Sequence, residues 1–509
     1  MKKLTILYIA GILLGSMASC TDDFEEINTN PNSVAKPNPN FVFSKAQLDG
    51  LNNNYFFTNI LECGGMIQHY ATYKEASGVG DKYLSNEVYF SAYFNQLYPT
   101  ALNETEIVIN ALKANPNDSN KLNIARIWRA YLYHRTTDLY GDIPYSDAAR
   151  AISTQVFLPK YDSQEFIYKD LLKELDEAAI ALDPAKPSFG KADFIYDGDV
   201  AKWKKFSYSL MLRLGLRLSK VDPALSQTWV TKAIAGGVIL NGTDNAIMKY
   251  TDGPNDFNRN PVGFDARRQD FTAGSNGQKN VEGGKLAKTF IDLLKSTADP
   301  RISVYSGVWQ GSSQNTTLAI QKGFPNGTKT APTAAEQGTY SEPNQSTVFK
   351  YDAPLVLLSN AETNLYLAEA AARGWYTNES DKDLYEKAVK ASFLNMGIYG
   401  AGYAITDATA YLTLNPYNAA GSFDAKMNQI HTQFYVALFV DEQEVYANWR
   451  RTGYPVLVPV NFPGNVTNGT IPRRLKYSTS EYSVNSTNLA EAVKRQGEDS
   501  FTTRMWWDK

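Results

Sequence analysis

Apolar side chains recur at three- and four-residue steps through much of this chain, a spacing that admits few folds other than packed helices. Ile167, Leu171, Leu175, Ala178 and Leu182 form one stripe, closed by Asp183-Pro184, and Trp203, Phe206, Leu210, Leu214 and Leu218 form another, closed by Asp222-Pro223. Proline has no N–H to offer a helix interior, so each stripe predicts an amphipathic helix with a stop. Asn123 to Asp138, Glu362 to Arg373 and Asp383 to Asn395 read the same way. Small residues stand at the centres of the last two: Ala368, Ala370, Ala371 and Ala388.

Large side chains against small ones at close crossings are what tetratricopeptide (TPR) helix pairs use, although no clean period of about 34 residues is present. The expected fold is therefore mostly α, with TPR-like helix pairs. The one clear strand-like run is Tyr454-Pro455-Val456-Leu457-Val458-Pro459-Val460. Two stretches break the helical pattern, Asp252 to Gly284 and Ser306 to Tyr351, and both are crowded with Gly, Asn, Gln, Ser and Pro. Loops of this length are either functional or simple insertions, and their place between helical blocks suggests one decorated face over a helical scaffold.

At 509 residues with 43% hydrophobic and 20% charged, the chain has material for a large core. A net charge of -3 supplies no basic footprint for nucleic acid. The unusual quantity is 13% aromatic residues, including 32 Tyr and 8 Trp, rings that present an apolar face with a polar tip and suit sugars or peptides.

The amino terminus reads as a lipoprotein signal. Met1-Lys2-Lys3 is a positive n-region, Leu4 to Met17 an apolar run too short to cross a membrane, and Met17-Ala18-Ser19-Cys20 a small-residue cleavage site ending in cysteine. Met17 stands where the usual pattern prefers Leu. The Cys20 sulfur can take a lipid as a thioether, and multiple acylation is needed because one chain anchors only marginally. Residues 1–19 are thus expected to be signal peptide and 20–40, rich in Asn, Asp and Pro, a tether. Residues 41–509 are the expected binding domain. Cys63 is the only other cysteine, so no intrachain disulfide forms once Cys20 is acylated, and it reads as a small buried apolar residue.

Catalytic motifs are scarce. No Gly-x-Ser-x-Gly elbow or His-Glu-x-x-His occurs, and Gly283-Gly284-Lys285 is followed by Leu286 where a P-loop needs a hydroxyl. Only His69, His134 and His431 are available for histidine chemistry, and no Asp/Asn run has the spacing of a calcium loop. A glycosidase needs only two carboxylates, and 53 acidic residues leave that open.

Six segments in order along the chain resemble the SusD/RagB family of nutrient-binding lipoproteins. Cys20 followed by Asp23-Phe24-Glu25-Glu26-Ile27-Asn28-Thr29-Asn30-Pro31-Asn32 is similar to its mature start. Thr137-Asp138-Leu139-Tyr140-Gly141-Asp142-Ile143-Pro144-Tyr145-Ser146-Asp147-Ala148 resembles its most recognisable internal segment. Further matches are Ala298-Asp299-Pro300-Arg301, Leu367 to Trp375, Trp449-Arg450-Arg451-Thr452-Gly453-Tyr454-Pro455, and Pro472-Arg473-Arg474-Leu475 with Thr503 to Asp508. The resemblance implies a helical fold with TPR-like pairs, a lipid-anchored place on the outer membrane facing the exterior, a SusC-type TonB-dependent transporter as partner, and binding of a glycan without turnover or cofactor. A peptide ligand, a surface glycoside hydrolase and a protein-binding scaffold are the alternatives.

The family's ligand-contact positions do not map onto this sequence by motif. The candidates are instead rings on irregular segments: Tyr73 and Tyr83 beside Ser77-Gly78-Val79-Gly80, and Phe271, Trp309 and Phe324 in the long loops, with Arg267 and Arg268 as hydrogen-bond donors. The Gly141-Pro144 corner and the Trp506-Trp507 pair read as structural.

Overall fold

The computed structural model describes residues 37–53, 55–75, 77–150, 155–269, 271 and 283–509. The signal at 1–19, Cys20 and the tether as far as residue 36 lie outside the described residues. The first helix, α1 (Pro39–Asn52), already begins inside the stretch assigned to the tether, because Asn38 caps it and Pro39 occupies its first turn.

The periodic stripes are helices. After α1 come α2 (Asn103–Leu112), α3 (Ser119–Tyr140), α4 (Gln164–Ala181), α5 (Val200–Arg217) and α6 (Pro223–Gly236). A second group is α7 (Asn360–Ala372), α8 (Asp381–Asn395), α9 (Phe423–Ala437) and α10 (Glu442–Thr452). Their ends follow local chemistry: Ser163, Asp199, Asp222, Ser359 and Ser380 each accept a hydrogen bond from a backbone N–H of the first turn they precede. Asp222-Pro223, read as a stop, is also a start, since Asp222 is the N-cap and Pro223 the first residue of α6.

Sequential neighbours pack as pairs: α3 on α4, α4 on α5, α5 on α6, and α7 on α8, while α9 lies on α7 and α10 returns to α3. Leu171, Leu175, Phe206, Leu210 and Leu214 are fully buried in one contiguous apolar core that runs from Phe43 to Trp507. Each such side chain contributes roughly 1.5–3 kcal/mol. Cys63 and Trp507 are buried as expected, the Cys63 thiol pushed up by burial. The Gly141 corner also holds: Gly141 has φ +83° at the end of α3, and Asp142 behind it accepts from the Gln164 backbone N–H at 2.8 Å.

Where α3, α5, α7 and α10 meet, the core is ionic. Arg213 donates to Glu362 at 2.8 Å and Arg217 to Glu444 at 2.8 Å and Asp138 at 3.3 Å, while Tyr366 donates to Glu444 at 2.9 Å. Arg135 pairs with Asp441 at 2.8 Å at the start of α10. All of these residues are buried.

Strands among the described residues are short and belong to two- or three-stranded sheets. The Tyr454–Val460 run is not one of them. Pro455 and Pro459 remove two N–H donors, and Val456 and Val458 are 73% and 77% exposed. Among the described residues no helix is long and apolar enough to cross a membrane.

Candidate functional site

The decorated face is organised by a strand pair that no sequence pattern announced. Tyr70–Thr72 runs antiparallel to Gly284–Leu286, with Ala71 opposite Lys285. Phe324 bridges to Ala287 and exchanges backbone hydrogen bonds with Leu286 and Lys288 at 2.8 and 2.7 Å. The Leu286 N–H donates to the Ser341 carbonyl at 2.9 Å, which joins this pair to a second sheet made by Ser306–Gln310 between Ser313–Asn315 and Glu342–Pro343. Gly284 is required here: a Cβ at that position would lie 2.6 Å from the Phe271 ring.

Buried charge makes the platform rigid. Lys285 pairs with Glu342, both essentially inaccessible, and the Trp309 indole N–H donates to the same carboxylate at 2.9 Å. Next to it Asp81 pairs with Lys82 at 2.7 Å and accepts from the Asn326 side-chain amide at 2.6 Å. Burial pushes the Asp81 carboxyl above its usual range, against the pull of Lys82.

On this base sits a small arc of rings. Phe324 is buried; Tyr340 meets it edge-on at 4.9 Å and Tyr73 at 6.1 Å, both half-buried, and the Lys322 ammonium lies 4.3 Å over the Tyr340 ring. Ring faces beside a cation and amide groups are the chemistry that holds a sugar: apolar C–H faces stack while hydroxyls take hydrogen bonds.

The residues singled out from sequence converge on this region more than their exposure suggested. Tyr73 and Phe324 touch, and Trp309 is tied to the Lys285–Glu342 pair. Phe271 packs edge-on against Tyr70 at 6.0 Å and Phe349 at 5.3 Å. Tyr83 follows Asp81-Lys82, its hydroxyl accepting from the Val460 N–H at 3.3 Å. Phe271, Trp309, Phe324 and Tyr83 are, however, buried rather than displayed, at 2%, 8%, 2% and 2% exposure. Arg267 and Arg268 stand elsewhere, over the rings of Tyr351 and Phe264 at 4.1 and 4.6 Å. Sequence reasoning missed Tyr340 and Lys322, although both lie in the second long loop already marked as unusual.

One group among the described residues has the composition of a metal site: His134, Asp138 and Glu444. It does not fit a cation, because Arg213 reaches His134 at 3.4 Å and Arg217 occupies both carboxylates. Burial, followed by the neighbouring guanidinium groups, holds the His134 imidazole well below its usual range and so neutral.

Residues 31–478 match the model of a SusD-like family described as starch-binding and associating with outer membrane. A solved chitin-binding protein is 29% identical, with a TM-score of 0.79 over 93% of this chain and 100% of its own. A Bacteroidetes SusD-like protein is 26% identical, TM-score 0.81, over 93% and 100%. A chitin-binding SusD homolog from Flavobacterium johnsoniae is 26% identical, TM-score 0.75, over 92% and 98%. None of the curated proteins compared matches the chain.

Proposed function

The chain belongs to the SusD-like family, and on that premise we propose that it is a surface lipoprotein that binds an oligosaccharide or polysaccharide and hands it to a SusC-type TonB-dependent transporter. In this reading Cys20 carries the lipid, and the face over the strand pair Tyr70–Thr72 and Gly284–Leu286 receives the glycan. The observation that carries it is the ring arc of Tyr73, Phe324 and Tyr340 on a platform of buried ion pairs. A platform whose charges are already paired does not reorganise when a ligand arrives, which keeps the cost of binding low.

Tyr73 and Tyr340 supply the stacking surfaces and Lys322 a donor. Phe324, Trp309, Phe271 and Tyr83 hold that surface from beneath, and Arg267 is assigned no contact. Two relatives named for chitin binding make oligomers of N-acetylglucosamine the first ligands to try.

The test is calorimetric titration of the full-length protein in detergent against N-acetylglucosamine, malto-, xylo- and manno-hexasaccharides and a peptide panel, with product analysis of each mixture. Saturable binding of an intact saccharide, weakened at least about tenfold in a Tyr73→Ala/Tyr340→Ala variant that melts like wild type, is expected; two ring contacts of about 0.5–1.5 kcal/mol each correspond to that factor. Cleaved product would replace the reading with a hydrolase. A double variant that binds as wild type would remove the face.

A further inference from the structure

A second concave site lies between α3, α4 and the corner that follows α3, and it shares no residue with the face described above. It is a groove of about 330 Å³, within the size range of small-ligand sites. Its base is fixed. Arg129 is 4% exposed, lies between the rings of Tyr133 and Tyr145 at 4.8 Å each, and is held by Glu106 and by Glu174 at 2.9 Å.

One wall is a face of α4, where Phe166, Asp170, Lys173, Glu174 and Glu177 follow at steps of four, three, one and three. Phe166 is an apolar ring left 48% exposed at the mouth, edge-on to Tyr145 at 6.4 Å. Asp170 accepts from the Tyr145 hydroxyl at 2.7 Å through one oxygen and, among the described residues, has no cation within ion-pair distance, so its other oxygen can accept from a ligand. Lys173, 67% exposed, reaches Glu177 at 3.7 Å and offers donors.

Charge is nearly balanced. Arg126, Arg129, Arg150 and Lys173 line the groove with Asp170, Glu174 and Glu177, and Glu106, behind the lining, pairs with both Arg129 and Arg150. Arg126 pairs with Glu177 at 2.9 Å and with Glu174 at 3.5 Å. With Glu106 counted the charges cancel, so the groove does not select a strongly charged ligand. An exposed ring beside an available carboxylate oxygen and an ammonium suits a neutral ring bearing adjacent hydroxyls, because the ring stacks and neighbouring hydroxyls donate to one carboxylate.

We propose that this groove is a second saccharide subsite, which takes one or two sugar units of the same polymer that binds the Tyr73 face. The proposal rests on the glycan reading given above. Two sites on one chain raise the hold on a long polymer by avidity without any new contact.

The experiment is titration of the full-length protein in detergent with the tightest-binding hexasaccharide from the panel above, together with native gels containing the parent polysaccharide. Wild type should show two sites of unequal affinity, with the groove site lost in Phe166→Ala and weakened about tenfold in Asp170→Asn, and gel retardation reduced in both. Phe166 and Asp170 lie at the surface, and melting curves matching wild type show that the fold is intact. A single site per chain that only the Tyr73→Ala/Tyr340→Ala variant removes overturns the second subsite and leaves the first standing. Absence of saccharide binding in wild type overturns the glycan reading itself, and the groove falls with it.

Discussion

Glu62 should be replaceable by glutamine with a gain in stability that grows with pH. It lies in a π-helical turn, Phe56–Gly64, at 1% exposure, and neither carboxylate oxygen has a hydrogen-bond partner among the described residues. Burial alone holds its carboxyl well above the ordinary 4.5, so the folded chain keeps this proton while the unfolded chain releases it. Above pH 4.5 the unfolded state binds fewer protons, and stability falls with rising pH until the folded group ionises as well. The slope is about 1.4 kcal/mol per pH unit, or roughly 2.7 kcal/mol over two units. Glutamine cannot ionise, so the stability difference between Glu62→Gln and wild type should be flat below pH 4.5 and rise along that slope above it. The amide brings unpaired donors of its own, but their cost does not vary with pH, and the slope rather than the offset carries the information. Urea unfolding of both proteins in steps from pH 4 to 7 reads it. A difference that stays constant across that range would mean that the folded chain holds the Glu62 proton no more tightly than the unfolded chain does, and the reasoning would fail.

Arg217→Met should lower stability by about 3–5 kcal/mol, seen as a lower urea midpoint, because it leaves Asp138 and Glu444 buried without their shared cation. Gly284→Ala should cost about 1–3 kcal/mol in the same assay, since the new methyl must displace the Phe271 ring. Burial works against ionisation of Glu369, but Arg451, Arg373 and His431 outweigh it and hold the carboxyl well below 4.5; its contribution is therefore present above that pH and lost as pH falls towards the folded value. Glu369→Gln should accordingly destabilise at pH 7 and flatten the acid limb of the stability curve. A variant as acid-sensitive as wild type would contradict this.

The helices were legible because their faces differ. Leu171 and Leu175 are buried while Lys173 and Glu177 between and beyond them are exposed, and such a stripe survives any tertiary context. The ionic junction was not legible, because Arg217 finds Glu444 at a separation of 227 residues and nothing local marks either as buried. The same distance hid the candidate site. Tyr70–Thr72 and Gly284–Leu286 are three residues each, too short for an alternating pattern, yet their pairing turns polar-looking loops inward and buries Phe271, Trp309 and Phe324. Lysine in a strand of Gly284-Lys285-Leu286 signals solvent by composition, and its pairing with Glu342 from another loop offsets the cost of burying it. Tyr454–Val460 failed in the opposite direction: valine favours strands, but two prolines deny the ladder its donors.

The junction of α3, α5, α7 and α10 also sets an order of events for a chain emerging from synthesis. Arg135 waits for Asp441 across 306 residues, and Trp507, two positions from the end, closes over the Arg217 guanidinium at 5.4 Å. Until those residues arrive, Arg135 lacks Asp441, and Arg217 has Asp138 but not Glu444. Contacts that span so much of the chain carry a large loop-closure cost, which slows folding relative to a bundle of local helix pairs.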